Sequence, residues 1–182
     1  NPGQQEVLRA VMSMVGILLN RGPYGCGKTA VIAFCALVYA LNHPDKKVLI
    51  TSETNAAIDE DLDRMIRIGW MPPGTILRVG ELKDRMGDHN EYYLTAKMKK
   101  KEQEVASWGK ARRHRALVDY KQSLLSKARI VVATLAQTSR DVLKDVGFHL
   151  VINDESGQTF ENSLLQALRP VTRILLNVGD ER

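Results

Sequence analysis

Residues Gly22 to Thr29 read Gly-Pro-Tyr-Gly-Cys-Gly-Lys-Thr, which fits the spacing G-x-x-x-x-G-K-[ST]. Gly25 and Gly27 permit backbone angles and a closeness of approach that a side chain would block, so successive N–H groups can turn toward phosphate oxygens. With Gly22, Pro23 and Cys26 completing the loop, Lys28 can reach the β- and γ-phosphates of a nucleotide and the Thr29 hydroxyl can ligate Mg²⁺. A helix opening near Thr29 would add the positive end of its dipole. A second cluster, Asp154-Glu155, follows the apolar run Leu150–Asn153. A carboxylate at the end of a buried strand suits holding Mg²⁺ through water, and the acid after it suits orienting or deprotonating an attacking water. That order of acids points to hydrolysis rather than nucleotide storage. Alone, a Gly-rich turn and a capping pair at a helix start are the plainer readings, but together they weigh against both.

The elements that must position these groups are legible in the apolar pattern. Val15–Asn20 is a short apolar run, and Thr29–Leu41 is apolar almost all round, which gives strand, loop and buried helix. Asn42-His-Pro44 breaks that helix and Lys47–Thr51 supplies the next strand, so the unit is a βαβ crossover and the strands are parallel. Asn55 is placed to cap a helix whose Ile58, Leu62, Met65 and Ile66 fall on one face, ending near Gly69 and Pro72-Pro73. Ile76–Val79 predicts another strand. Residues 83–127 shift to charged and polar types, with basic runs Lys97–Lys101 and Lys110–His114, and predict a helical pair inserted into the domain. Such a hairpin is either a solvated surface or a nucleic-acid contact. Arg129–Ala133, Leu150–Asn153 and Ile174–Leu176 are short enough to be central strands buried on both faces, with a helix over Phe160–Leu168 between the last two. No internal repeat and no low-complexity linker interrupts the chain.

Bulk properties set the frame. The chain has 182 residues, 44% of them apolar, which suits one globular α/β domain with a real core. Lys and Arg number 26 against 21 Asp and Glu, a net charge of +5 and a pI near 9.3, which leans toward polyanionic partners. Two cysteines, Cys26 and Cys35, are too few for a disulfide scaffold and point to a reducing compartment, hence an intracellular protein of cytoplasm or nucleus. The longest apolar stretch, Ala30–Leu41, is shorter than the roughly 20 residues a membrane span needs. Opening at Asn1 without methionine and ending at Arg182 just after a motif, the chain reads as a segment of a longer protein.

Asn1-Pro-Gly-Gln4, the phosphate loop, Thr51–Asp59, Arg78-Val-Gly80, Val131–Thr134, Asp154–Gln158 and Val178-Gly-Asp180 come in the order of the motifs of superfamily 1B helicases. The chain resembles the first RecA-like domain of the nonsense-mediated-decay and senataxin-like group, and the charged insertion resembles the helical subdomain carried there in the same interval. The resemblance implies a RecA-like P-loop fold, a doubly wound parallel sheet in which Ile174–Leu176 lies between the phosphate-loop strand and the Leu150–Asn153 strand. It implies that Gln4 reads the adenine, a task an amide's donor and acceptor suit. Ser52, Asn55 and Thr134 fall at positions that touch the sugar-phosphate backbone of a bound single strand, and Gln158 at the position linking the γ-phosphate to that surface. Implied with them are ATP and Mg²⁺, 5′-to-3′ movement along RNA or DNA, and a second RecA-like domain that supplies arginine fingers.

The sequence departs from the family at Asn153, where an apolar residue is usual, and at Ser156-Gly157, where Ala-Ser is usual. Glycine at 157 is expected to loosen the backbone beside Glu155 by up to about 1 kcal/mol. Two further classes stay open: an ATP-gated clamp or remodelling factor that grips a strand without unwinding it, and a P-loop NTPase acting on something other than nucleic acid.

Overall fold

The computed structural model describes residues 2–13, 15–23, 25–72, 74–80 and 87–180. Six strands, β1 (Gly16–Arg21), β2 (Val48–Thr51), β3 (Ile76–Val79), β4 (Ile130–Ala133), β5 (Leu150–Asn153) and β6 (Ile174–Gly179), form one sheet in the order β1-β6-β5-β2-β4-β3. Every pairing is parallel. Strand β6 lies between β1 and β5, with Ile174 in register with Gly16 on one side and Leu150 on the other. This is the order the resemblance implied. Strands β2, β4 and β5 are buried at every residue, because apolar side chains point to both faces and helices cover each.

One face is covered by α1 (Pro2–Ser13), α2 (Lys28–Asn42) and α3 (Asn55–Ile68), whose Val11, Ile32, Leu37, Ile58 and Leu62 pack on Ile50, Ile152 and Leu176. The other carries α4 (Leu94–Glu104), α5 (Lys110–Lys127), α6 (Leu135–Thr138) and α7 (Glu161–Ala167) over a core that includes Leu49, Val131, Phe148, Val151 and Leu175. Edge strand β1 is the exception. Ile17 and Leu19 are 70% and 64% exposed, so this face of β1 is open among the described residues.

Two sequence expectations need correction. The cap of α3 is Thr54, not Asn55: Thr54 has extended backbone angles and its hydroxyl accepts from the Ala57 N–H at 3.2 Å. Helix α1 is not among the expected elements, although Pro2 at its first turn and Val7, Leu8 and Val11 at helical spacing mark it. The insertion is a 3₁₀ turn (Gly87–Tyr92) followed by α4 and α5, and the expected opening at 83–86 lies outside the described residues. Its far end is fastened to the sheet by Lys47, whose Nζ donates to the carbonyls of Leu125, Ser126 and Ala128 at 2.9, 2.8 and 2.5 Å. A cation on the last carbonyls of a helix supplies donors that the helix itself lacks there.

Candidate nucleotide site

The phosphate loop follows β1 and opens α2. Gly25 and Gly27 have φ of 78° and 89°, left-handed values that any side chain would resist, as the sequence spacing required. Gly27 is also the residue from which α2 starts, its carbonyl accepting from Ala30 N and Val31 N at 3.1 and 3.2 Å. The N–H of Gly22 donates to Gly179 O at 3.2 Å and so ties the loop to the end of β6. Lys28 Nζ donates to the carbonyls of Gly22 and Pro23 at 3.1 and 3.0 Å and to Asp180 Oδ1 at 2.5 Å. The Asp180 hydrogen bond is the largest influence on the Lys28 pKa and raises it. Thr29 donates its hydroxyl to Glu60 Oε1 at 3.5 Å. Gln4 reaches the loop from α1, its Nε2 donating to Cys26 O at 3.4 Å.

The acid pair follows β5. Asp154 is buried, with its backbone N–H donating to Thr51 O at 2.8 Å. Burial pushes its carboxyl pKa up to about 6, and the nearby charges of Glu155 and Glu60 add to the effect. Glu155 has φ 52° and is the only non-glycine with positive φ among the described residues. Such a conformation costs on the order of 1 kcal/mol or more and concentrates at functional sites. The strain therefore sits on the acid itself, whereas Gly157 is not among the described glycines of positive φ. Thr54 donates its hydroxyl to Glu155 Oε2 at 3.3 Å while capping α3, so one side chain couples the helix start to the acid. Gln158 closes a short turn through its N–H to Glu155 O at 2.8 Å.

These segments line a single cleft of about 860 Å³. The phosphate loop contributes Gly25, Gly27, Lys28 and Thr29, the acid loop Asp154, Glu155, Gly157 and Gln158, and the end of β6 Gly179 and Asp180. Helix α3 adds Ala57, Glu60, Asp63, Arg64 and Arg67. Sequence reasoning missed this last group, although 57, 60, 64 and 67 recur at the spacing of one helix face. Asp61, on the same helix, is fully buried and neither of its oxygens has a hydrogen-bond partner. Burial, reinforced by Asp154, Glu60 and Glu155, holds its carboxyl pKa well above the ordinary value.

The donor set suits a magnesium nucleotide: glycine backbone at close approach, one lysine, one hydroxyl and two acids on a cleft of triphosphate size. Of the expected site residues, Gln4, Gly22, Pro23 and Cys26 adjoin this cleft through the loop. Ser52, Asn55 and Thr134 lie apart from its lining. Ser52 is fully buried, its Oγ without a partner and its carbonyl accepting from Leu135 N at 3.0 Å. Thr134 is buried at the start of α6, and Asn55 is exposed with its Oδ1 accepting from Arg78 Nη2 at 2.7 Å. The unusual Asn153 is fully buried and paired, donating to Asn177 Oδ1 at 3.0 Å and accepting from the Thr159 hydroxyl at 3.2 Å.

Comparison with known proteins bears on this geometry. An AAA domain family, AAA_11, matches residues 1–116 and 81–182, which together span the chain. The crystal structure of the UvsW helicase from bacteriophage T4 is similar with a TM-score of 0.63 and 18% identity, over 98% of this chain and 52% of that one. A second T4 UvsW structure gives 0.63 and 17%, over 97% and 29%. The Pyrococcus furiosus Hef helicase domain gives 0.57 and 18%, over 97% and 31%. At such identities the likeness is one of fold, and the chain spans about half or less of the structures it matches. No curated protein sequence matched. Its parallel six-stranded sheet is that of helicase RecA-like domains, and by the family match the chain belongs to the AAA domain family AAA_11.

Proposed function

We propose that this chain is the ATP-binding RecA-like domain of a superfamily 1B helicase or translocase of the nonsense-mediated-decay and senataxin-like type. One observation carries the reading: the phosphate loop and the acid pair, far apart in sequence, line the same cleft. In it Gly25, Gly27 and the opening of α2 hold phosphate, Lys28 meets the β- and γ-phosphates, and Thr29 with Asp154 holds magnesium. Magnesium, when bound, supplies charge neutralisation of the phosphates. Glu155 orients and deprotonates the attacking water, and Gln158 relays the γ-phosphate to the strand-binding surface. Asp180 and the phosphates compete for Lys28, so nucleotide entry frees Asp180 at the end of β6.

Residues 1–182 act as one unit with the insertion from about 83 to 127. A second RecA-like domain supplies arginine fingers, each worth about 10³ to 10⁵ in rate in nucleotidases. Asn55, exposed at the start of α3, touches the backbone of single-stranded RNA or DNA, whereas Ser52 and Thr134, both buried, shape that surface from beneath rather than contact the strand; Gln4 reads the adenine. Movement is 5′ to 3′, and the protein works inside the cell, in cytoplasm or nucleus. Among the described residues no helix is long and apolar enough to cross a membrane.

Strand-stimulated ATPase of the complete protein tests the reading. Lys28→Ala should impair nucleotide binding, and Glu155→Gln should preserve binding and stop turnover. Normal stimulated turnover in either variant refutes it. Comparing single-stranded RNA with DNA at stated salt assigns the polymer, and a duplex-unwinding assay separates a helicase from a clamp. Hydrolysis that neither polymer stimulates would transfer the chain to the non-nucleic-acid class.

A further inference from the structure

The turn from α4 into α5 bears a second concave surface that shares no residue with the nucleotide cleft. Trp108 is 38% exposed there, and the guanidinium carbon of Arg112 lies 4.3 Å from its ring centroid. Beside it is a hollow of about 750 Å³ lined by Trp108, Lys110, Ala111, Arg113, His114 and Leu117. Every ionisable group in that lining is basic. From Lys110 to Arg115 the helix carries four Lys or Arg and one His in six residues. Only Arg113 of these has an acid partner among the described residues, Glu102 at 2.5 Å.

Both features cost the folded hairpin something. Crowded like charges on one helical turn repel, and a half-open indole forfeits burial. The other tryptophan in residues 1–182, Trp70, is 50% exposed but sets its ring edge-on to Phe34 at 5.5 Å. Trp108 instead stands against a cation, with more cations around the hollow. A ligand that alternates flat rings with negative charges answers both costs at once. An acidic peptide would meet the charges and leave the indole face, while an apolar groove-binding helix would bury the cations.

We infer that Trp108 and the first two turns of α5 form a binding site for single-stranded nucleic acid, with a base stacked on the indole and phosphates on Lys110 and Arg113. Such platforms combine aromatic stacking, cation–π support and a basic track. This site extends the proposed function and rests on it, since it gives the strand a second hold on the insertion.

With Trp70→Phe, Trp108 is the one tryptophan left within residues 1–182, and the emission lost on Trp108→Ala should be the part quenched, saturably, by oligo(dT) or oligo(U); the two arms compare DNA with RNA. Binding of a labelled strand should weaken about 5- to 150-fold in Trp108→Ala, the range typical for removal of one stacking partner, with Trp108→Phe between it and wild type. Helix content by circular dichroism should be unchanged. Lys110→Ala with Arg113→Ala should reduce the slope of log affinity against log salt by about 0.7 for each phosphate no longer neutralised. Strand binding that is unaltered in Trp108→Ala, with no quenching, overturns this site and leaves the nucleotide-site reading standing. Equal quenching by poly-glutamate, or self-association abolished by Trp108→Ala, would overturn it in favour of a protein partner or a second copy. If wild type binds no strand and no strand alters its ATPase, this site and the proposed function fall together.

Discussion

Asp59 and Asp61 stand two residues apart on α3 and meet opposite surroundings. Asp59 accepts from Arg78 Nε at 2.8 Å and from the Tyr93 hydroxyl at 3.3 Å. Arg78 is fully enclosed, and its other N–H groups go to Asn55 Oδ1 at 2.7 Å and Val79 O at 2.5 Å. Even the next glycine is committed, since a Cβ on Gly80 would lie 2.5 Å from Arg78 Nη1. This network fastens β3, α3 and the entry to α4. Asp61 has no such partner and looks toward acids. Near it, and lining the cleft that Asp61 itself does not reach, are Asp154, whose pKa is raised, and Glu155, whose backbone is left-handed. Buried polar groups that satisfy one another hold the fold, whereas those arranged for a ligand's charge leave stability unclaimed at the site.

The contrast can be broken most sharply at the cleft. Glu155→Gln should lower strand-stimulated phosphate release by about 10² to 10⁴-fold, the usual worth of a positioned general base, with ATP affinity nearly unchanged. On the fastened side, Arg78→Met strands Asp59 and should cost about 3–5 kcal/mol in urea unfolding; Arg78→Met with Asp59→Leu should recover much of it. A loss below about 1 kcal/mol would deny the network its role.

Asp61→Asn should act in the opposite direction. A carboxyl whose folded pKa is raised favours folding while protonated, and that advantage is lost as pH rises. The amide should therefore raise the thermal midpoint at pH 8, by about 2–4 °C for each kcal/mol relieved, with the gain fading as pH falls toward the unfolded carboxylate range. A lower midpoint at pH 8 would show that Asp61 has a stabilising partner. The smallest effect concerns Asp154. With its pKa near 6, the carboxylate is present above that pH and lost below it. Magnesium-dependent nucleotide affinity should thus decline as pH drops through about 6, by at most about tenfold per unit, and Asp154→Asn should flatten that profile.

Much of this architecture is legible in the sequence because strand-loop-helix context and apolar runs are local signals. The six strands, the long α2 and the helical pair of the insertion follow from them. Helix α1 escapes such a reading because Asn1 to Gln4 stands out as a motif, although Pro2 fits a helix start. Thr54 and Asn55 are both capping types, and only the backbone angles decide between them. Pairings between distant segments leave no local trace: Lys28 with Asp180, Thr54 with Glu155, Asn55 with Arg78. The strain at Glu155 is equally hidden, a matter of how the chain leaves β5 and not of residue type.

Calorimetric titration of ATP with and without Mg²⁺, on wild type, Lys28→Ala and Glu155→Gln, tests the central claim most directly. One shared cleft predicts magnesium-dependent binding to wild type, its loss in Lys28→Ala and its retention in Glu155→Gln. Binding by Lys28→Ala with wild-type affinity and the same magnesium dependence would contradict it.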